Sequence, residues 1–387
     1  MSTGYLRTFT MLAATVAALV AVGLLLITAR PAQAATFNVT KTEDTADGSC
    51  TSADCSLREA IIAANNSAKA DKIIVPAGTY TLTIPQVPST GDPFGQNGDL
   101  NIYRDVSIIG AGADVTTISG GDTSRVLSVG DNFTNPKVAI SGVTIADGNA
   151  ASPGEEAAGG IFNSGKLTLN KSAVRDNRAD LQGGGILNEG SASLKVTDST
   201  ISDNKARQGG GIYNSGSATG GGSVTLTNST ISGNEARGTN SGGGGIASFA
   251  REETIKNTTI AFNAADGPGG GIFNGGGSPE FKNTIVANNT SVNFLSDNCT
   301  FSSTSLGNNL SGDDSCAFGK ESDKENTDPK LDPLQNNGGT TDTHTLGSGS
   351  PAINAGGKPF PAKDQRGVKR PQEGASDIGA VEMISGA

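Results

Sequence analysis

Four charged residues stand at equivalent places in a repeating sequence: Asp180, Arg207, Arg237 and Asp266, each following a recurrent Asn at the same distance. Side chains of both signs at regular intervals along one face could grip a repetitive polymer. Bathed in solvent, the same residues would form only ion pairs worth ~0–1 kcal/mol each. A second set of acids, Asp313, Asp314, Asp323 and Asp328, offers the oxygen donors that Ca2+ takes, without the spacing of an EF-hand loop. Ca2+ is the one cofactor for which donors can be named. His344 lies in Thr343-His344-Thr345-Leu346 with no Ser or Cys partner in view. Nucleophilic catalysis needs a matched pair, so a structural role is expected for it and no catalytic residue is assigned.

Cysteine chemistry is simpler. Cys50, Cys55, Cys299 and Cys316 form two local pairs. In an exported chain an even count reads as disulfides. Of the three possible connectivities, Cys50–Cys55 with Cys299–Cys316 is preferred. Zinc sites use clustered C-x2-C ligands, absent here, so no metal is expected on these sulfurs.

Export is expected from the N-terminus. Arg7 precedes an apolar run from Met11 to Ile27, and Ala32-Gln33-Ala34 places small residues where a signal peptidase reads them. The mature chain is expected to begin near Ala35, with an uncleaved N-terminal anchor as the alternative because the apolar run is long for a signal, and no second apolar segment appears later. The net charge of −10 argues against nucleic acid or an anionic membrane as partner, since both require a cationic footprint. A polysaccharide or a cell-envelope component remains open as partner, and a monomer is expected.

These side chains need elements to position them. Aromatics make up only 4% of the chain, there is no Trp, and Gly occurs 55 times. That composition suits a thin stacked core of Ile, Val, Leu and Ala. Ser56 to Asn65 reads as a helix: Ser56 and Glu59 make a capping box, and Leu57, Ala60, Ile61 and Ala64 share one face. Such a helix can cover the open end of a solenoid.

From about residue 159 a repeat is plain. GGIFN (159–163), GGGILN (183–188), GGGIYN (209–214), GGGIAS (243–248) and GGGIFN (269–274) place Ile161, Ile186, Ile212, Ile246 and Ile272 in one column. A second register aligns Val174, Ile201, Ile231, Ile260 and Val286, each followed by Asn177, Asn204, Asn234, Asn263 and Asn289. Three short strands per repeat, none stable alone, would pair with the turns above and below at ~4.8 Å. Gly at the corners permits positive φ and close approach. Parallel connections are almost always right-handed. Neither a leucine-rich repeat nor a calcium nonapeptide roll fits the spacing.

Three regions resemble known families. Cys55-Ser56-Leu57-Arg58-Glu59-Ala60 resembles the motif that names the CSLREA proteins, exported bacterial proteins mostly without assigned function. The central repeats resemble pectate-lyase-like right-handed β-helices and, more loosely, the repeats of polymorphic outer-membrane proteins. Asn336 to Glu382, with Asp364-Gln365-Arg366-Gly367, Arg370-Pro371 and Asp377-Ile378-Gly379-Ala380-Val381-Glu382, resembles the choice-of-anchor Q domain. That domain often precedes a surface-attachment signal; only Met383 to Ala387 follow here, so release into the medium is expected.

The β-helix resemblance implies lyase or hydrolase activity, but the residues that would carry it are missing or misplaced. There is no W-I-D-H or R-x-P-x-x-R segment. Asn326-Thr327-Asp328 comes after Asp313-Asp314, and no G-H-G or R-I-K follows. The expectation is therefore an all-β chain: signal peptide 1–34, cap 35–70, right-handed parallel β-helix 71–298 and a C-terminal capping module 299–387. It is read as an extracellular structural or adhesive protein, with a polysaccharide lyase or hydrolase as the alternative.

Overall fold

Short apolar pairs such as Leu194/Val196 and Leu226/Val224 can be buried only if the chain coils and stacks one turn on the next. The computed structural model shows this. It describes residues 34–86, 96–131, 133–150, 157–216, 222–250, 252–292, 297–300 and 303–384. The signal segment, Ala34 apart, lies outside the described residues, as does most of the 215–223 insertion.

All strand pairing is parallel and falls into sheets of ten, nine, seven and six strands. One turn illustrates the path. Ile186–Asn188 lies in the sheet of seven, Ser193–Thr197 in the sheet of ten, Thr200–Ser202 in the sheet of nine and Lys205–Ala206 in the sheet of six. A Gly-Gly-Gly corner then leads to Ile212–Asn214 on the next turn. The all-parallel β-helix expected from the repeat is thus present, with four strands per turn rather than three. The fourth has two residues, too short to show a periodicity of its own.

Register follows the columns. Ile186 pairs with Ile161 and Ile212, and Ile201 with Val174 and Ile231. These side chains are fully buried, each contributing ~1.5–3 kcal/mol by leaving water. Gly183 and Gly209 take positive φ, as expected of the corners. The next two glycines serve close approach: a Cβ at Gly184 or Gly185 would sit 2.5 or 2.6 Å from the carbonyl oxygen of Gly210 or Gly211.

Asparagine knits one corner. Asn177, Asn204, Asn234, Asn263 and Asn289 are buried, and each Nδ2 donates to the Oδ1 of the next at 2.9 Å, ending on Asn298. Each also donates to a backbone carbonyl of the preceding turn, as Asn204 does to Val174 at 2.9 Å. A buried amide is satisfied only when every rung supplies the next acceptor.

Parallel pairing extends beyond the predicted 71–298 at both ends. Thr36–Asn38 pairs with Asp71–Val75, and Thr304–Ser305 and Leu310–Ser311 add a last rung. Helix α1 (Leu57–Asn65), with its capping box intact, closes the first end. Arg58 is buried beneath it, paired with Asp44 at 2.7 Å and bonded to the carbonyl of Gly98 at 2.8 Å. At the far end the capping expected of 299–387 falls to its first part, where Cys299, Cys316 and Phe318 join the core and Phe318 lies 5.3 Å from Phe281. The remainder folds back along the flank. It packs on the outer face of the nine-stranded sheet, where Leu346, Ala352 and Ile378 cover Ile285, Ala287 and Leu310.

Candidate functional site

The corner between the sheets of nine and six needs a left-handed residue on every turn. Asp147, Asp176 and Asp203 occupy it at φ 53°, 57° and 57°, followed by Gly233. Asp and Asn tolerate this conformation, and the corner carries their side chains outward. Carboxylates therefore recur at rung spacing, ~4.8 Å. A Cβ at Gly233 would lie 2.5 Å from Asp203 Oδ1, so glycine leaves the space that this carboxylate fills.

The flank segment turns this corner into a groove. Thr200 Oγ1 donates to the carbonyl of Asp342 at 2.6 Å, and Gln365 Nε2 donates to Thr200 Oγ1 at 2.8 Å and Thr341 Oγ1 at 3.0 Å. Between this contact and the coil lies a groove of about 320 Å3, lined by Asp114, Thr117, Thr144, Arg175, Asp176, Thr200, Ser202, Asp203 and, from the segment, Asn336 and Thr340 to Asp342. The walls carry hydroxyls, carboxylates and one guanidinium, with Arg175 paired to Asp176 at 2.5 Å. Burial raises Asp203 above the usual carboxylate range, Ser202 opposes this with a hydrogen bond, and Asp176 adds to it. Such a surface can accept hydrogen bonds from a polyhydroxylated ligand.

The residues singled out from sequence lie elsewhere. Asp180, Arg207, Arg237 and Asp266 are all exposed, one step past the sheet of six, and none lines the groove. They do not form a ladder of mutual ion pairs. Arg237 binds Glu235 of its own turn at 2.8 Å, and Asp266 accepts the Gly238 N–H at 2.8 Å. Asp313 accepts from Ser315 and Asn298, Asp323 from Asn309, Ser305 and Lys320, and Asp328 from Lys330. Among the described residues no cluster of three or more His, Cys, Asp or Glu is arranged to hold a metal. Both disulfides have the preferred connectivity.

His344 is buried at the interface of segment and coil. Its Nδ1 donates to the Asp332 carbonyl at 2.6 Å, so Nε2 accepts from Ser232 Oγ at 2.8 Å. Burial holds its pKa below the ordinary value. The Ser partner not expected for His344 is thus present, from a distant turn, and the distinctive C-terminal residues bond largely to one another. Arg370 and Glu382 form a buried pair at 3.2 Å, Arg366 binds Asp364 at 2.9 Å, and Arg370 donates to the carbonyls of Asp377 and Gly379.

What sequence reasoning missed is the Asp before the first two ladder Asn residues. Asp176-Asn177 and Asp203-Asn204 were legible as corner doublets, but their value as a site depends on a segment from much later in the chain lying beside them.

Fold and groove together define a disulfide-bonded, all-parallel β-helix with a polar furrow on its flank. No family model matches the chain, and no curated protein matches it. Among solved structures it is similar to "Crystal structure of pectate lyase Pel9A", over 91% of this chain and 97% of that one, at 16% identity and a TM-score of 0.48. It is also similar to "Geobacillus virus E2 - ORF18", over 70% of this chain and 62% of that one, at 14% identity and a TM-score of 0.37. At these identities the likeness concerns the course of the backbone alone. Among the described residues no helix is long and apolar enough to cross a membrane.

Proposed function

We propose that this chain is an exported, non-enzymatic β-helix that holds a polysaccharide in the groove between coil and flank segment, as a structural or adhesive component outside the cell. The observation that carries the reading is the groove itself, in which Asp176 and Asp203 stand on successive rungs and Thr144 and Thr200 lie one rung to either side of Ala173. A repeating ligand meets a repeating surface there. Acids outnumber the one Arg, which favours neutral or amino sugars over uronates. Two disulfides support an oxidising compartment. The CSLREA and choice-of-anchor Q resemblances support the same placement.

The test is binding of the purified mature protein to a panel of neutral, amino and uronic polysaccharides, with unsaturated products and reducing ends measured in parallel. Saturable binding without turnover, weakened about tenfold or more by Asp203→Asn, is the expected outcome; a tenfold loss corresponds to about 1.4 kcal/mol. A folded Asp203→Asn protein that binds as the parent does would remove the groove from the reading.

One observation favours a second reading, a glycoside hydrolase. Asp203 is raised and Asp176 stands one rung away, and a pair of carboxylates is what acid-assisted glycosidic cleavage uses. Release of reducing ends that disappears in Asp203→Asn would establish it in place of the first.

A further inference from the structure

Asp71 opens the second strand of the ten-stranded sheet and is 2% exposed. Its Oδ1 accepts the backbone N–H of Ala35 at 2.6 Å. Its Oδ2 is equally buried and has no partner. The neighbouring buried carboxylates at this end of the coil are neutralised by cations, Asp44 by Arg58 and Asp99 by Arg125. Asp71 is met by one neutral amide, although a buried carboxylate left half satisfied costs free energy. Ala35 is otherwise fixed in place: its carbonyl accepts the Lys72 N–H at 2.9 Å, at the start of the first parallel pairing.

We propose that Asp71 is the receptor for the α-ammonium of Ala35, the group created when a signal peptidase cuts after Ala32-Gln33-Ala34. Hydrolysis adds water across the Ala34–Ala35 amide. The hydroxyl goes to the Ala34 carbonyl carbon, and the nitrogen leaves as an amine that takes up protons to become an ammonium at neutral pH. The single N–H donor at 2.6 Å becomes a three-donor cation at the same position, able to serve the partnerless Oδ2 as well. Processing would thus complete the first rung: the precursor leaves Asp71 uncompensated and the mature chain pairs it. The inference rests on the export reading, but the site can be tested apart from it.

The experiment has two arms. In the first, the full chain is expressed in a secreting bacterial host and the exported protein is analysed by N-terminal sequencing. Ala35 as first residue is expected, and a mature protein beginning elsewhere overturns the proposal. A chain that is never exported overturns the export reading itself.

In the second arm, a cleavable fusion is cut in vitro to release Ala35 as first residue, whatever happens in the host. Hydrogen exchange of the 36–39 amides is compared with that of a chain carrying one extra N-terminal Gly, each with Asp71 and with Asp71→Asn. The extra residue keeps the Ala35 N–H and moves only the charge. The expected result is about tenfold stronger protection for the free Ala35 terminus with Asp71, a difference that vanishes with Asp71→Asn. Equal protection of the two termini with Asp71 present would overturn the proposal, as would a difference that persists unchanged in Asp71→Asn.

Discussion

One buried acid shows how a single position departs from its column. In the ten-stranded sheet Val138, Leu167, Leu194 and Val224 stack inward, and the next position is Glu253. The reason lies in the neighbouring ladder of the sheet of seven. Asn163 Nδ2 donates to Asn188 Oδ1 at 2.7 Å and Asn188 Nδ2 to Asn214 Oδ1 at 2.8 Å. Ser248 then replaces Asn, and Asn214 reaches its hydroxyl only at 3.4 Å. Glu253 Oε1 accepts from the same amide at 3.3 Å, while its Oε2 stays buried without a partner. Burial raises its pKa above the ordinary 4.5. The folded state therefore prefers the protonated acid: the favourable contribution is complete below 4.5 and is lost as pH rises through the raised value. Glu253→Gln, which keeps the acceptor and removes the charge, should stabilise the protein at pH 8 by about 1–3 kcal/mol. The gain should shrink toward pH 4.5, as measured by denaturant titration. No gain at pH 8 would mean that the carboxylate is hydrated in solution.

At the scale of elements, the ladder and the cap make separable predictions. Asn204→Ala removes the acceptor of Asn177 and the donor to Asn234 and Val174. Because buried amides on both sides lose partners, it should cost about 1–3 kcal/mol. Exchange should quicken in the rungs around 177 and 234 before it does at helix α1. Arg58→Met leaves Asp44 buried without its cation and should cost about 3–5 kcal/mol. The loss should be local to the N-terminal end and seen as faster exchange in α1. These elements were legible for a plain reason: a column that recurs on every turn repeats its signal. Ile186, Asn204 and the capping box could be placed without coordinates. The two-residue strand at Lys205–Ala206 could not, because two residues carry no periodicity. Arg237 and Asp266 are exposed, and their partners are the Glu235 side chain and a loop amide, choices that rotamers make and spacing does not reveal. The groove was hidden more deeply, since one side of its wall comes from Asn336 and Thr340 to Asp342, which nothing local ties to Asp203.

At the scale of the whole molecule, the flank segment joins distant rungs. It meets the coil at Thr200, Thr230, Thr259, Asn283 and Asn308, positions on successive turns. His344 sits inside this contact, and its lowered pKa sets a pH window. The neutral ring is favoured in the folded state, so its contribution is present above the ordinary value of 6.5 and is lost as pH falls through the depressed one. The protein should therefore loosen along the flank on acidification below 6.5, with protease cleavage appearing first in 325–384. His344→Gln should flatten that acid limb; an unchanged limb would assign the acid sensitivity to other groups.

A stack of repeats ordinarily frays from its ends one unit at a time, each unit answering only to its neighbours. Here a single strap is bonded across five turns, from Thr200 to Asn308, so the last turn of the coil is held to the four before it by the strap as well as by stacking. Pulled from its C-terminal end, as a protein tethered to a surface would be, the coil would share the load across the whole seam. Its resistance to traction would then reside in that seam rather than in the stacking of any one turn.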